Sequence, residues 1–505
     1  MSVSSRPQRI LQGWSANLVQ LLLGITQQVA LIPVFLHFWT SDTLAAWLAL
    51  YAAGNFVLIA DAGLQLRAIN RFLAFKSGID SDGRTARFYA AMLRVYLVLA
   101  AALIALALVG ASLVRPADTL GFRATADFDP AFAVMMAGML LTLPSNLVTS
   151  LYRARGLYGR AVWLQCAVML IAQLGQLTAI AATASLLAVT IAYVAPTSLL
   201  AVYLVAIDAR RLFPFLRGAT ARVSWRWAAG QFSRAFPFAL AGGTEIALQN
   251  LPVLLVSMFA TDRMAVAQWG LTRVVAGLLR ALCVQATLPL AAELGHDHAI
   301  GAKGPLQRLY ARGSVFVTLL AGTVVSGLLA FWPDFFALWT RGAVPYDPLL
   351  TITLLIGTGV IAPSILALGF ANYSNRGELL ARSKGLQLAV FVMLALVLTP
   401  RMGPLGAAIA VIASDLLVQF GLLTIVIVRQ TLERPARHIA MLAVLFVAVT
   451  LAGWGLGSAI RSLVGGSGLW RFIIECALWL AVVGLAASPL VSKNLRRRLS
   501  DAIPR

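Results

Sequence analysis

Two arginines and a glutamate fall within long apolar stretches, where ionised side chains are costly and usually functional. Arg273 and Arg280 are seven residues apart, so a helix places them on one face, about 10 Å apart along its axis. Glu245 begins a stripe that continues with Gln249 and Pro252. Because guanidinium groups are planar and always charged, the arginines suit a phosphate or other anionic group in an aqueous cavity. The alternative is a buried ion pair between Glu245 and Arg280, which would leave Arg273 uncompensated.

Amide side chains recur along two other apolar stretches. Such amides can hydrogen-bond sugar hydroxyls, or they can join neighbouring helices to each other. Taken together, the stripes favour a hydrated interior over a dry bundle. The stripes include Gln20, Gln27 and Gln28 in one stretch and Gln165, Gln173 and Gln176 in the other. The candidate binding amides are Gln27 and Gln28 from these stripes, together with Gln249 and Asn250 from the stretch of Glu245.

Carboxylates within apolar stretches are candidates for ion coupling or gating. Asp415, with Gln419 one turn further on, is near the middle of such a stretch. Asp61 is close to the end of another, and Glu245 lies on the stripe described above. A carboxylate at this depth can bind a coupling proton or Na⁺, or it can be a hydrogen-bonded structural acid. The structural interpretation is favoured for Asp415, and more strongly for Asp61 and for Glu475, which is also close to the end of a stretch.

Other motifs point away from catalysis and cofactors. His296 and His298 form an HxH pair without further clustered ligands, so no metal site is expected. Gly357 and Gly359 lie in an apolar stretch and not in a strand-to-helix turn, which argues against a dinucleotide site. The sequence has no GxxxxGK[ST] motif, so no ATP hydrolysis is expected. We therefore expect a protein that is not an enzyme and has no cofactor.

The composition decides which class of protein carries these groups. Of 505 residues, 60% are hydrophobic and 12% are charged, and the mean hydropathy is +0.85. A soluble domain has about 25% charged residues, so a soluble enzyme, a DNA-binding protein and a disordered scaffold are excluded. The net charge of +21 indicates basic cytoplasmic loops and not a nucleic-acid partner. The chain is therefore predicted to be an all-α, polytopic membrane protein.

Apolar stretches of helical length predict about fourteen transmembrane helices. The expected spans are 14–38, 44–64, 90–114, 130–152, 161–182, 185–207, 235–260, 265–291, 313–333, 349–372, 384–400, 404–428, 438–460 and 470–491. Alternating the loops places about 31 of the 40 basic residues, Lys384 among them, on the cytoplasmic side. This asymmetry predicts a multi-pass membrane protein with both termini in the cytoplasm.

The two halves of the chain echo each other faintly. Pro33, Asp42 and Trp47 in the first half match Pro252, Asp262 and Trp269 in the second. Many transporters are built from such repeats, with a binding site between them. We expect an N-terminal six-helix lobe over residues 1–220, a second six-helix lobe over 221–432, and an extra helix pair with a basic tail over 433–505.

Several short motifs resemble those of bacterial polysaccharide transporters of the O-antigen flippase type. This family belongs to the multidrug/oligosaccharidyl-lipid/polysaccharide exporter superfamily. The resemblance is densest in the first sixty or so residues and extends further mainly by topology. The motifs are Gly13-Trp14-Ser15-Ala16-Asn17, Ile32-Pro33-Val34-Phe35-Leu36, Trp39, Ala46-Trp47, Asp61-Ala62-Gly63-Leu64, the basic turn Leu151-Tyr152-Arg153-Ala154-Arg155-Gly156, and Gly403-Pro404-Leu405-Gly406-Ala407-Ala408.

The resemblance implies two six-helix lobes around a central cavity and an undecaprenyl-diphosphate-linked oligosaccharide as substrate. It also implies membrane lipid and polysaccharide polymerase machinery as surroundings or partners. On this sequence the cationic cavity role falls on Arg273 and Arg280, with Arg67 near the cytoplasmic mouth. A cation-coupled multidrug exporter of the same fold is the alternative. A membrane polymerase or glycosyltransferase is disfavoured because the predicted outside loops are short.

Overall fold

The computed structural model describes residues 19–20, 22–61, 63–75, 82–260, 262–299, 301–374, 376–464 and 468–487. Within these residues the chain forms fifteen long helices and no strand. They are α1 (Leu22–Phe38), α2 (Ser41–Asp61), α3 (Leu64–Phe75), α4 (Arg84–Val114), α5 (Phe128–Ala154), α6 (Gly159–Thr183), α7 (Leu186–Leu212), α8 (Trp225–Phe259), α9 (Met264–Ala299), α10 (Lys303–Thr340), α11 (Pro348–Tyr373), α12 (Gly377–Met402), α13 (Pro404–Thr431), α14 (Pro435–Leu463) and α15 (Leu469–Ala487).

These helices confirm the predicted all-α membrane fold. Thirteen helices in the described residues are long and apolar enough to cross a membrane, and the shorter α1 corresponds to the first predicted span. The additional helix, α3, is amphipathic and buries Leu64, Ala68 and Phe72 at intervals of four residues. The motif at 13–17, Ala62 and the basic tail lie outside the described residues.

The contacts divide the chain into two compact units, residues 1–274 with 375–423 and residues 275–374 with 424–505. In the first unit, α3, α4 and α5 share a core in which Phe72 meets Phe88 edge to face, with ring centroids 5.4 Å apart. In the same unit, α8 packs on α12 and α13 through Leu248, Phe391 and Ala410. This first unit contains most of the candidate site residues.

In the second unit, α14 and α15 pack on α10 around the indole of Trp479. A Cβ atom added at Gly327 would lie 2.9 Å from that ring, so the glycine allows the close approach. The indole N–H of Trp479 donates to the carbonyl of Gly453 at 3.0 Å. Glu475 is buried on α15 and accepts from Arg471 at 2.7 Å, which agrees with the structural interpretation of this acid.

Three of the helices in the described part of the chain contain π-helical segments. They are Thr26–Ala30 in α1, Leu204–Asp208 in α7 and Asp415–Thr424 in α13. Such widened turns are rare and frequently lie at functional sites. Two of the three carry predicted site residues, namely Gln27 and Gln28 in α1 and Asp415 in α13.

Candidate functional site

Arg273 lies at a cavity of about 40 Å³ within the first unit. The cavity is bounded by α1, α2, α8 and α9. Its lining combines the polar side chains of Arg273, Gln27 and Gln28 with aromatic and aliphatic side chains. The other lining residues are Ile32, Trp47, Leu48, Tyr51, Val253, Gly270, Leu271 and Val274.

Close packing of α9 on α2 places Arg273 at this cavity. Gly270, one turn before Arg273, faces Leu48 so closely that an added Cβ would lie 2.6 Å from its Cδ1 atom. Real Cβ atoms essentially never approach so near, so the helices meet at this distance because residue 270 has no side chain. Any larger residue at position 270 would require Leu48 to move.

An aromatic cluster packs behind Trp47 and Tyr51, the two aromatic residues of the cavity lining. Trp47 packs edge to face on Tyr193, with ring centroids 5.7 Å apart, and Tyr51 lies 5.6 Å from the same ring. Phe35 and Trp39 continue the cluster from α1. Trp39 is anchored by its indole N–H, which donates to the carbonyl of Ala184 at 2.6 Å. The aromatic rings that line the cavity are therefore packed against further rings behind them.

The charge of Arg273 is not compensated within the described residues. Its Nη1 atom is buried and has no hydrogen-bond partner there, and no described carboxylate lies within ion-pair distance of the guanidinium group. A buried donor without an acceptor costs about 1–3 kcal/mol, and more when the group is charged. A cationic donor facing a cavity is therefore available to an anionic ligand.

Gln27 and Gln28, which are adjacent on the α1 π-helical segment, have different surroundings. Gln27 is buried and exchanges hydrogen bonds with Gln176 of α6 at 3.0 and 3.3 Å. Gln173 donates to the carbonyl of Leu23 at 2.7 Å and so adds a second link between α1 and α6. Much of the amide stripe thus joins helices, whereas the exposed Gln28 faces the cavity.

The remaining predicted cations and amides lie away from this cavity lining. Arg280 is partly buried two turns further along α9, in the second unit. Gln249 is exposed on α8, and Asn250 is buried and donates to the carbonyl of Ile246 at 2.9 Å. Neither amide lines the Arg273 cavity.

Arg67 is on α3, the amphipathic helix that follows the second span. Its Nε atom donates to Gln231 of α8 at 3.3 Å. Partial burial lowers the pKa of Arg67, and the nearby charges of Arg71 and Arg234 lower it further. Three arginines therefore lie close enough to repel one another, which is typical of a surface that attracts anions.

Asp61 is held by three hydrogen bonds at the end of α2. It accepts from the Tyr96 hydroxyl at 2.7 Å, the backbone N–H of Gln65 at 3.2 Å and the Asn146 amide at 3.5 Å. These contacts tie α2 to α4 and α5. They support the structural interpretation of this acid.

Lys384 differs most from the sequence expectation. The sequence counts it among the cytoplasmic basic residues, at the first position of the span 384–400, whereas in the structure it lies well inside α12 and is 3% exposed. Its ammonium group contacts Glu245 of α8 at 3.5 Å and donates to Gln419 of α13 at 2.7 Å. Gln387 accepts from the same ammonium group and donates to the buried Asp415. The two other predicted coupling acids, Asp415 and the partly exposed Glu245, are therefore both connected to this lysine.

Comparison with known proteins shows similarity to solved structures and none to known sequences. No protein-family model and no curated protein sequence matches the chain. Among solved structures, the lipid II flippase MurJ in an inward closed conformation aligns with a TM-score of 0.72 and 11% identity, over 95% of this chain and all of MurJ. An inward-facing multidrug resistance MATE family transporter aligns with a TM-score of 0.59 and 14% identity, over 84% of this chain and 98% of its own.

A MOP superfamily transporter from Pyrococcus furiosus aligns with a TM-score of 0.51 and 14% identity, over 87% of this chain and 94% of its own. The chain shares the fold of these three structures. At these identities the likeness concerns the fold alone. That fold agrees with a multi-pass membrane protein, as do the apolar helices of the described residues.

Proposed function

We propose that the protein is a flippase that moves an undecaprenyl-diphosphate-linked oligosaccharide across the bacterial inner membrane by alternating access. The observation that carries this proposal is the buried Nη1 atom of Arg273, which has no hydrogen-bond partner among the described residues, in an arginine that lines a cavity together with amides and aromatic rings. The similarity in fold to a lipid II flippase over nearly the whole chain supports it.

The chemistry of such a substrate matches the groups present. A diphosphate head carries negative charge that must be desolvated, and an arginine offsets that cost through charge-assisted hydrogen bonds. The amide of Gln28 can donate to and accept from sugar hydroxyls. The prenyl tail is as apolar as the bilayer and has no need to leave it.

The size of the cavity implies that it must open. A volume of about 40 Å³ holds only a few water molecules and not a diphosphate with its sugars. Transporters with repeated helix bundles expose such a site alternately to the two sides. In this proposal, Arg280 and Arg67 are additional cations along the route, and Gln249 and Asn250 contact the substrate in other states.

The membrane arrangement is part of the same proposal. Both termini are placed in the cytoplasm, residues 1–220 and 221–432 form the two lobes, and residues 433–505 form the additional pair with its tail. Polysaccharide polymerase machinery would receive the product.

A second candidate function is the export of small cations with ion coupling. It is favoured by the fold similarity to multidrug transporters, by the buried acid Asp415 and by the partly exposed acid Glu245. The positive charge of Arg273 argues against a cationic cargo in the first-unit cavity, because like charges repel at low dielectric.

Charge reversal separates the two functions. Cells that depend on this chain for surface polysaccharide should lose it with Arg273→Glu, although the amount of membrane-inserted protein stays the same. Arg123→Glu is the control, since Arg123 is exposed and pairs only at the surface with Asp118. Normal polysaccharide with Arg273→Glu, together with altered export of a cationic dye, would favour the second function.

A further inference from the structure

Six arginines and no acid lie between Asp208 and Glu245, in and around the segment that joins α7 to α8. Five of them, all exposed, lie within 210–226 and form what we call the basic surface, namely Arg210, Arg211, Arg217, Arg222 and Arg226. None of the five forms an ion pair with another described residue. Asp208, the acid that precedes them, is 2% exposed and already contacts Arg160 of α6 at 2.7 Å. The positive charge of the basic surface is therefore open to an anion from outside the chain.

Apolar contacts and a hydrogen bond hold this segment against the helices of the first unit. Phe213 and Leu216 are buried in the core that α3, α4 and α5 share. The carbonyl of Ala221 accepts from the guanidinium group of Arg94 on α4 at 2.5 Å. The arginines of the basic surface are therefore presented by a packed segment and not by an unattached linker.

The basic surface lies at one end of the membrane helices, beside an exposed indole. The span α7 ends at Leu212 and the span α8 begins at Trp225, so the arginines are at the common end of both. Trp225 is 82% exposed, although Trp227 packs edge to face on Phe88 with ring centroids 6.2 Å apart. An exposed tryptophan at the end of a membrane helix is typical of the membrane–water interface, where the indole lies at the level of the headgroups.

Helix stability does not explain the charge at the start of α8. Arg226 lies in the first turn of this helix, where the helix dipole disfavours a positive side chain, and no acid in that turn balances it. A bound anion would compensate this unfavourable charge.

We propose that the basic surface binds the headgroups of anionic phospholipids in the leaflet at this end of the helices, with the indole of Trp225 at the same level. Guanidinium groups donate charge-assisted hydrogen bonds to phosphate oxygens, and basic segments beside a membrane helix attract anionic lipid. A soluble phosphate compound has the same oxygens but no hydrocarbon chains to lie against the apolar surface of the spans. This role is independent of the proposed function, because the lipid is a bound component of the membrane and not the transported substrate.

Native mass spectrometry of the detergent-solubilised full-length protein tests the proposal. Titration with phosphatidylglycerol and, separately, with phosphatidylcholine gives the apparent affinity for an anionic and a zwitterionic lipid. The wild type should bind phosphatidylglycerol more tightly, and equal affinities would overturn the proposal. The variant Arg211→Gln/Arg222→Gln/Arg226→Gln should bind phosphatidylglycerol ~10-fold or more weakly, because each arginine near an anionic surface contributes a factor of about five. Its affinity for phosphatidylcholine should stay the same.

A matched control lies at the start of α10. Lys303, Arg308 and Arg312 are exposed there, and the acids Glu293 and Asp297 shortly precede them in the sequence. The variant Lys303→Gln/Arg308→Gln/Arg312→Gln removes the same charge from the protein and should keep its preference for phosphatidylglycerol. An equal loss in this variant would overturn the proposal, because the effect would then come from the net charge of the protein and not from the basic surface.

Two measurements on the wild type keep the proposal testable even when the variants do not fold. Inorganic phosphate at the concentration of the lipid should not displace phosphatidylglycerol, and displacement would show that a soluble phosphate compound is the ligand. Raising the ammonium acetate concentration from roughly 0.1 M to 1 M shortens the screening length from about 10 Å to 3 Å, so the preference for phosphatidylglycerol should disappear. A preference that salt leaves unchanged would overturn the proposal. None of these readouts uses transport, so their failure would leave the flippase proposal standing.

Discussion

Replacing Arg273 by methionine should make the protein more stable and bind its ligand less well. Methionine fills a similar length of the pocket without a charge. The buried Nη1 atom has no partner among the described residues, so its removal should raise the free energy of unfolding by about 1–3 kcal/mol. Hydrogen bonds from a charged group contribute about 1.5–3 kcal/mol. Binding of a diphosphate should therefore weaken by roughly 10- to 150-fold.

Two measurements on detergent-purified protein check this pair of effects. Denaturant or thermal unfolding gives the stability without ligand, and calorimetric titration with a short-chain prenyl diphosphate gives the affinity. Arg273→Lys keeps the charge but loses the planar fork, so its affinity should be intermediate. Arg123→Met, on an exposed side chain, should change neither quantity. A less stable Arg273→Met protein with unchanged affinity would refute the reasoning, because it would mean that the arginine is already satisfied without ligand.

Two further predictions concern the surroundings of the site and are checked by thermal unfolding. Gly270→Ala should lower the free energy of unfolding by about 1–2 kcal/mol, because the added methyl group overpacks against Leu48. Gly277→Ala on the same helix meets nothing within 4 Å and should raise the free energy of unfolding by up to ~1 kcal/mol through helix propensity. Equal shifts of the melting temperature for both variants would contradict the close contact. Gln176→Leu should lower the free energy of unfolding by ~1 kcal/mol, because it leaves the Gln27 amide unpaired. The double variant Gln27→Leu/Gln176→Leu should recover most of that stability. A double-mutant cycle with no coupling energy would show that the amide pair does not join α1 to α6.

The sequence predicted the helices well because hydropathy reports directly on the cost of exposing backbone and polar groups to lipid. Each predicted span has a counterpart among the described helices. Arg273 was found for the same reason, as a charge in an apolar stretch. Lys384 was missed because a lysine at the edge of an apolar stretch is indistinguishable from a loop cation until α8 and α13 are known to cover it.

The side-chain roles required tertiary contacts. The stripe that contains Gln27 was compatible both with a hydrated cavity and with hydrogen bonds between helices. Only the position of Gln176 on α6 shows that Gln27 joins α1 to α6. One hint was available in advance: Gln387 follows Lys384 by one helical turn, and Gln419 follows Asp415 likewise. Polar residues paired at that spacing on two successive spans are a pattern that can be searched for.

The packing of Trp479 against α10 has a consequence for any form of the protein that lacks α14 and α15. The α10 face beneath α14 and α15 is built of small residues, among them Gly322, Ser326 and Gly327, each within close reach of α14 or α15. Without the last two helices that smooth face would meet lipid, and in bilayers small-residue faces recruit other helices. A protein truncated before α14 should consequently self-associate through α10. On this reasoning, α14 and α15 prevent oligomerisation through that face.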